Sequence, residues 1–215
     1  MEPDALRIKV NKTNMDHAIL RAVEVLKNGG IVAYPTETFY GLGVKFDIED
    51  SLKRLCYFKQ RPEEKALLLI IGNKRLLNVI AKSVNSLAAS LIKKFWPGPL
   101  TLVFLAKDNL SRYITAGTGK VAVRIPGESF AFHLAKNADF PFTATSANPS
   151  GLPPARNADT VIKYFGDKID LIIDGGTTSG NLPTTIVDVT ENKLKILRKG
   201  MLKKELLISS LRDQK

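Results

Sequence analysis

The sequence has 215 residues, 44% hydrophobic and 25% charged, which is typical of an ordinary globular protein and excludes a fibrous or disordered chain. Its longest apolar run, Ala66 to Ile71, is too short to cross a bilayer, and charges interrupt the N-terminus where a signal peptide needs an apolar core, so we expect a cytoplasmic protein. The 32 Lys and Arg against 21 Asp and Glu give a formal net charge of +11, which favours anionic partners such as nucleotides or nucleic acids.

Cysteine and histidine are scarce. Cys56 is the single cysteine, so the sequence predicts neither an intrachain disulfide nor a cysteine metal cluster. His17 and His133 are the two histidines, and neither has a partner at ligand spacing. Zinc hydrolysis and a Ser-His triad therefore have little support.

Apolar periodicity predicts interleaved strands and helices. The first predicted helix begins at Asn14 or Asp16 and ends at Gly29. The other predicted helices cover Ile48–Lys59, Lys74–Lys82, Asn85–Phe95, Glu128–Ala138, Ala158–Phe165 and Met201–Leu211. The predicted strands are Ala5–Val10, Ile31–Tyr34, Ala66–Ile71, Leu100–Ala106, Val121–Ile125, Phe140–Thr145, Ile169–Asp174, Thr184–Val189 and Leu194–Leu197. The last two strands form a hairpin through a turn at 190–193. Loops are predicted over 108–120, 146–154 and 175–183.

These elements predict an α/β (mixed α+β) fold of one domain, with a single twisted mixed sheet and helices packed on it. The strand at 66–71 reads as central, because a continuous apolar run is typical of a strand buried on both faces. Residues 1–200 form the body of the domain, and residues 201–215 form its C-terminal helix and tail.

The stretch 31–61 predicts the rim of an anion-binding site. A short apolar strand ends at a proline, hydroxyl side chains follow, and the glycines of 41–43 let the backbone turn tightly or approach a ligand closely. Lys59 and Arg61 lie just before Pro62, so we expect both side chains to leave the helix end in extended form, outside the core, and to reach one polyanion. The alternative is a pair of solvated cations that favour the helix dipole by ~0.3–1 kcal/mol.

Two later loops at strand ends bring further polar groups, namely Arg124 and then Ser146 with Asn148, and Thr184 and Arg198 follow later in the chain. Each has a plainer interpretation, namely surface ion pairs for the arginines, local turn hydrogen bonds for Ser146 and Asn148, and β-propensity for Thr184. Standard nucleotide motifs do not apply, since the stretch 117–120 lacks the upstream glycine and the following Ser or Thr of a P-loop.

Six motifs, in their order along the chain, resemble the motif set of a known protein family. They are 35–43 (PTETFYGLG), 59–62 (KQRP), 96–101 (WPGPLT), 121–126 (VAVRIP), 146–151 (SANPSG) and 184–188 (TTIVD). The set is similar to that of the YrdC-like family, the threonylcarbamoyl-AMP synthases, and it spans about residues 18–200. The resemblance implies the YrdC/RibB-like fold and the short, stand-alone form of the family.

The resemblance also implies a nucleotidyltransferase. Such an enzyme joins L-threonine, bicarbonate and ATP into threonylcarbamoyladenylate, with Mg²⁺ accompanying ATP and no metal site made of protein ligands. Other proteins then transfer the threonylcarbamoyl group to the tRNA adenosine beside the anticodon, and weak direct tRNA binding is a further expectation. The implied catalytic residues share one cavity and are Lys59, Arg61, Ser146 and Asn148. The implied additional ATP contacts are Lys65, Arg156 and Arg198, and the implied threonine-binding residues are Thr38, Arg124 and Thr184.

This sequence departs from the family pattern at a few positions. Ala66 and Ile70 stand where many relatives have Pro and His, and Thr184 stands where Ser is usual.

Two other functions stay open. One is a basic RNA-binding protein without catalysis, although its aromatic residues do not alternate with Lys and Arg as a stacking platform would need. The other is carbamoyl transfer to another acceptor, as in hydrogenase-maturation proteins.

Overall fold

The structure is a computed structural model that describes residues 6–180, 182–191 and 193–212. The helices are α1 (Met15–Lys27), α2 (Glu49–Phe58), α3 (Leu77–Ile80), α4 (Ser86–Phe95), α5 (Arg112–Thr115), α6 (Phe130–Asn137), α7 (Ala158–Phe165) and α8 (Lys204–Arg212). The strands are β1 (Leu6–Lys9), β2 (Val32–Pro35), β3 (Tyr40–Gly43), β4 (Leu69–Ile70), β5 (Leu100–Leu105), β6 (Lys120–Arg124), β7 (Phe142–Thr143), β8 (Thr145–Ser146), β9 (Leu171–Asp174), β10 (Thr185–Asp188) and β11 (Lys195–Arg198). Among the described residues, no helix is long and apolar enough to cross a membrane.

The strands form two mixed sheets. The first has the order β1-β9-β2-β3-β8, and the second has the order β11-β10-β5-β6-β4-β7. The α/β class is confirmed, whereas the expectation of one sheet is wrong. The error comes from the segment predicted as one strand over 140–145: β7 pairs with β4 in the second sheet, and β8 pairs with β3 in the first. The chain therefore passes from one sheet to the other at Ala144.

The first sheet is buried on both faces. On β2, Ala33 belongs to a core shared with α2, α4 and the second sheet, whereas Val32 and Tyr34 belong to a core shared with α1 and α6. This alternation follows from the two-residue period of a strand. Sheet and helix layers thus enclose apolar groups on either side, which holds the strand ends of both sheets in fixed positions.

Most predicted helices are confirmed within a few residues, and local signals explain why. Asn85, Ser129 and Asn157 precede α4, α6 and α7, and each side chain accepts a hydrogen bond from a backbone N–H in the first turn. The segment 74–82 begins with a 3-10 turn and continues as α3, and the loop predicted over 108–120 contains α5.

Several strand predictions need correction or fall partly outside the described residues. The strand expected over 66–71 is reduced to β4, because only Leu69 and Ile70 pair in register with the strands β6 and β7. The hairpin of β10 and β11 is confirmed as an antiparallel pair. Residues 1–5, 192 and 213–215, parts of the predicted first strand, hairpin turn and C-terminal tail, lie outside the described residues.

Candidate active site

A cavity of about 700 Å³ lies between the two sheets. Alternate residues of β6 line it, namely Lys120, Ala122 and Arg124, because side chains two apart on a strand share a face. In the same sheet, β10 adds Ile186 and Asp188 to the cavity wall. The first sheet and the adjoining loops supply the opposite wall, made of Thr36, Thr38, Phe39, Tyr40, Gly41, Thr145 and Ser146. The sequence-predicted residues on the cavity wall are Thr38, Arg61, Arg124, Ser146, Thr184 and Arg198.

Arg124 occupies one end of the cavity and is almost fully buried. Its side chain is 5% exposed and forms a short ion pair with Glu37 Oε1. The second oxygen, Glu37 Oε2, is buried and has no hydrogen-bond partner among the described residues. Sequence reasoning missed Glu37, although it lies beside Thr38 in the same motif. The ion pair neutralises Arg124, and the guanidinium keeps further N–H groups.

Arg198 and Thr184 lie next to Arg124. The Arg198 guanidinium donates to the Thr184 carbonyl oxygen from Nε at 3.1 Å and from Nη2 at 2.9 Å, and Nη2 also reaches Thr184 Oγ1 at 3.0 Å. The surrounding protein and then the positive charge of Arg124 lower the pKa of Arg198. Because Glu37 can balance only one of the two guanidinium groups, this end of the cavity carries a net positive charge.

Arg61 and Ser146 form the next part of the wall. The Arg61 side chain donates to the backbone carbonyls of Lys65 at 2.8 Å and Ala66 at 2.6 Å, and Nη1 lies 3.5 Å from Thr145 Oγ1. Burial lowers the pKa of this guanidinium. A partly desolvated arginine that is held by carbonyl oxygens keeps its full charge and turns its remaining N–H groups to the cavity.

Lys59 contradicts the expectation that both cations lie outside the core. The residue is 2% exposed, and its backbone at the end of α2 is helical, not extended. Its ammonium group donates to the carbonyl oxygens of Ser146 and Asn148. Lys59 and Asn148 do converge with Ser146, but neither lines the cavity. Asn148 points its amide nitrogen to the Pro149 and Leu152 carbonyls instead.

Two other predicted ATP contacts lie outside the cavity wall. Lys65 is exposed and enters the site through its carbonyl oxygen, which accepts from Arg61. Arg156 is exposed and donates to the Ser179 carbonyl at 3.0 Å. Since the Ser179 hydroxyl in turn bonds to the Glu37 carbonyl at 3.0 Å, Arg156 supports the loop that borders Thr38.

The far end of the cavity contains groups that sequence reasoning did not select. Lys120 Nζ lies 2.7 Å from Asp188 Oδ2, and Lys195 and Thr118 complete this end. Burial raises the pKa of Asp188, but hydrogen bonds from Lys120 and Thr190 outweigh it and hold that pKa below its usual value. The alternation of β6 was the available signal, because it places Lys120 on the same face as Arg124.

The tight turn expected at the glycines of the first motif is absent, whereas Gly41 does line the cavity. Gly41 and Gly43 lie within β3, paired with β2. A Cβ at Gly41 would lie 3.1 Å from the Tyr34 ring, and one at Gly43 would lie 2.9 Å from it. The glycines therefore make room for a buried tyrosine. Ile70 is fully buried in the core and does not line the cavity, so it contributes no side chain to this site.

The fold and the cavity define an α/β protein with a cationic, hydroxyl-rich binding site between two sheets. A sequence model of the family described as "Telomere recombination" (Sua5/YciO/YrdC) matches residues 24–200. The chain therefore belongs to the Sua5/YciO/YrdC family.

Curated relatives and a solved structure agree. The threonylcarbamoyl-AMP synthase of Pyrococcus abyssi (strain GE5 / Orsay) is 39% identical over 90% of this chain, which spans only 57% of that protein's length. The threonylcarbamoyl-AMP synthase of Enterobacter sp. (strain 638) is 37% identical over 80% of this chain and 90% of its own length. The crystal structure of P. abyssi Sua5 complexed with L-threonine superposes with a TM-score of 0.87 at 37% identity, covering 96% of this chain and 60% of that one.

Proposed function

We propose that this protein is a threonylcarbamoyl-AMP synthase, which makes threonylcarbamoyladenylate and pyrophosphate from L-threonine, bicarbonate and ATP. The observation that carries the proposal is the convergence of Arg61, Arg124 and Arg198 on one cavity of about 700 Å³. Such a cavity is of the size of a nucleotide site, and its cations suit a polyanion. The names of the two relatives and the threonine complex of P. abyssi Sua5 support the choice of substrates.

The Arg124 end is the proposed threonine site. The guanidinium groups of Arg124 and Arg198 offer planar donors to the substrate carboxylate, and the hydroxyls of Thr38 and Thr184 can bond to its polar groups. Because Glu37 leaves this end with an excess positive charge, a carboxylate would restore neutrality there. Thr184 supplies the hydroxyl that the usual serine would supply.

The Arg61 and Ser146 wall is the proposed triphosphate site. Carboxylation of the threonine amine gives a carbamate that is already anionic and can attack the α-phosphorus while pyrophosphate leaves. Little proton transfer is needed at that step, so alignment and charge stabilisation of the phosphoryl oxygens can supply most of the catalysis. Arg61 suits this task directly, whereas Lys59 and Asn148 would act from behind the wall.

Magnesium is proposed to enter with ATP. Within the described part of the chain, no group of three or more His, Cys, Asp or Glu side chains could hold a metal ion. Asp188 faces the cavity, but Lys120 and Thr190 already occupy its oxygens. This donor set fits a metal ion bound mainly by phosphate oxygens and water, which is how Mg²⁺ commonly accompanies nucleotides.

The downstream partners are proposed from the chemistry of the product. A threonylcarbamoyl group on AMP is an activated mixed anhydride, a form that a separate transfer protein can pass on to a tRNA acceptor. We place this reaction in the cytoplasm. Weak direct tRNA binding would show as an affinity that falls steeply with salt.

The test is pyrophosphate release from ATP, measured with L-threonine and bicarbonate present together or omitted in turn. The proposal requires pyrophosphate release that depends on both L-threonine and bicarbonate. L-serine in place of L-threonine is the matched control. Arg61→Ala is expected to lower turnover by about 100-fold or more, because it removes a cation from the phosphoryl oxygens. Release without threonine would reject the proposal, and salt-sensitive tRNA binding without release would favour the RNA-binding alternative.

A further inference from the structure

Lys59 is a buried cation with no ionic partner in the part of the chain that the structure describes. Its side chain lies beneath the loop 146–150, and Nζ donates to the Asn148 carbonyl at 2.6 Å and to the Ser146 carbonyl over a shorter distance. The charged or titratable groups that act on it are Arg61 and the Cys56 thiol, and no carboxylate is among them. The desolvation of a buried ammonium group is costly, so other interactions of Lys59 must offset that cost.

A second contact ties the same residue to the same loop. The Ser150 N–H donates to the Lys59 carbonyl at 2.8 Å. Within the loop, the Asn148 N–H donates to the Ser146 carbonyl at 2.9 Å. Lys59 therefore touches the loop at three residues, of which Ser146 lines the cavity.

From this geometry we infer that Lys59 is a positioning residue. Its ammonium group fixes the carbonyl oxygens of Ser146 and Asn148, so that the loop presents Ser146 to the cavity, and Lys59 itself touches no ligand. The nature of the ligand rests on the proposed function, but the loop contacts exist in the protein alone. The hydrogen bonds to these two carbonyl oxygens, of which the Ser146 oxygen also accepts from the Asn148 N–H, offset part of the cost of the buried charge.

The inference has a pH signature. Burial, and then the positive charge of Arg61, lower the pKa of Lys59 to about 7. Above that pH the buried amine is neutral and still donates to the carbonyls, whereas opening of the loop exposes it to water and returns its pKa towards the ordinary value of 10.5. The open loop therefore binds more protons than the closed loop, and the loop should tighten as the pH rises from 6 to 8. A side chain that only filled space would produce no such dependence.

The experiment is residue-resolved amide hydrogen exchange on the ligand-free protein, corrected for intrinsic exchange rates. In Lys59→Met, the Asn148 and Ser150 amides are expected to lose protection by about tenfold or more, the equivalent of one charge-assisted hydrogen bond. Arg61→Met is the matched control: it should leave these amides protected while lowering the affinity for tripolyphosphate. Wild-type protection should rise between pH 6 and 8, and that rise should vanish in Lys59→Met.

Two results would overturn the inference. One is a Lys59→Met protein whose loop stays protected while tripolyphosphate binding is lost, since Lys59 would then contact the anion directly. The other is wild-type protection that stays constant from pH 6 to 8, which decides the question even if Lys59→Met does not fold. Because no substrate is added, neither result depends on pyrophosphate release, so this inference and the proposed function can fail separately.

Discussion

The ion pair of Glu37 and Arg124 is asymmetric, and this has consequences for stability. Both side chains are largely buried, at 16% and 5% exposure, yet one Glu37 oxygen has no partner among the described residues. A buried pair adds little net stability, but removal of one member leaves the other charge desolvated and alone. The carboxylate is therefore needed mainly because the arginine is there.

Glu37→Ala is expected to lower the free energy of unfolding by about 3–5 kcal/mol, because Arg124 would remain buried without its counter-ion. The double variant Glu37→Ala/Arg124→Met should recover most of that loss, since no unpaired charge is left. Urea unfolding of the wild type and both variants measures the difference. A single variant as stable as the wild type would mean that water already compensates Arg124.

The pKa of Lys59 predicts a stability difference that depends on pH. Lys59 releases its proton at about 7 in the folded protein but near its ordinary value of 10.5 in the unfolded chain. Between these values the unfolded state binds more protons, so the free energy of unfolding should rise with pH in the wild type relative to Lys59→Met. Denaturant unfolding at pH 7, 8.5 and 10 measures this, and a difference that does not change with pH would contradict the assigned pKa.

Residue identities were easier to predict than their surroundings. Hydroxyl groups and cations at loop ends can be seen in the sequence, and six of the predicted residues line the cavity. The burial of Lys59 could not be seen, because its acceptors lie 87 and 89 residues away. Glu37 was missed for a similar reason, since its ion-pair partner is also 87 residues distant.

At the scale of elements, the end of α2 explains why two cations so close in sequence have different environments. Gln60 has a left-handed φ of 50°, its N–H bonds to the Tyr57 carbonyl, and the Arg61 N–H bonds to the Cys56 carbonyl. This is the Schellman pattern, in which glycine usually holds the left-handed position. The reversal separates the buried Lys59 from Arg61 on the cavity wall.

Gln60→Gly is expected to stabilise the protein by about 0.5–1 kcal/mol. Relief of the left-handed strain, of ~1–2 kcal/mol, exceeds the extra entropy of glycine in the unfolded chain. Gln60→Ala is the control, because alanine keeps the Cβ and should show no comparable gain. Thermal and urea unfolding of the wild type, Gln60→Gly and Gln60→Ala measure their relative stabilities. Equal stability of the two variants would show that the turn carries no strain.

Elements themselves were predictable, whereas their assembly was not. Helices and most strands follow from local periodicity and capping residues, which the sequence displays directly. The two-sheet arrangement depends on a change of partner at Ala144, between β7 and β8, and each of these strands has only two residues. So short a strand carries no period, and its partners lie far away in the chain.

At the scale of the whole molecule, the cavity belongs to neither sheet alone. The first sheet and its loops contribute Thr38 and Ser146, and the second contributes Arg124 and Asp188. A ligand that spans this space contacts both sheets at once, so binding free energy is added to the contacts that hold the sheets together. Ligand binding and global stability should therefore be linked.

ATP and L-threonine together are expected to raise the melting temperature by roughly 11–22 °C when each is present at about 100 times its dissociation constant. Binding to the folded state alone contributes about 2.7 kcal/mol per ligand at that excess, and for a chain of this size 1 kcal/mol corresponds to about 2–4 °C. Scanning fluorimetry with each ligand singly and combined measures the shift. Arg61→Ala should lose the ATP shift and keep the threonine shift, since the two ends of the cavity are held by different arginines. An unchanged melting temperature with both ligands at saturating concentration would mean that the cavity is not their binding site.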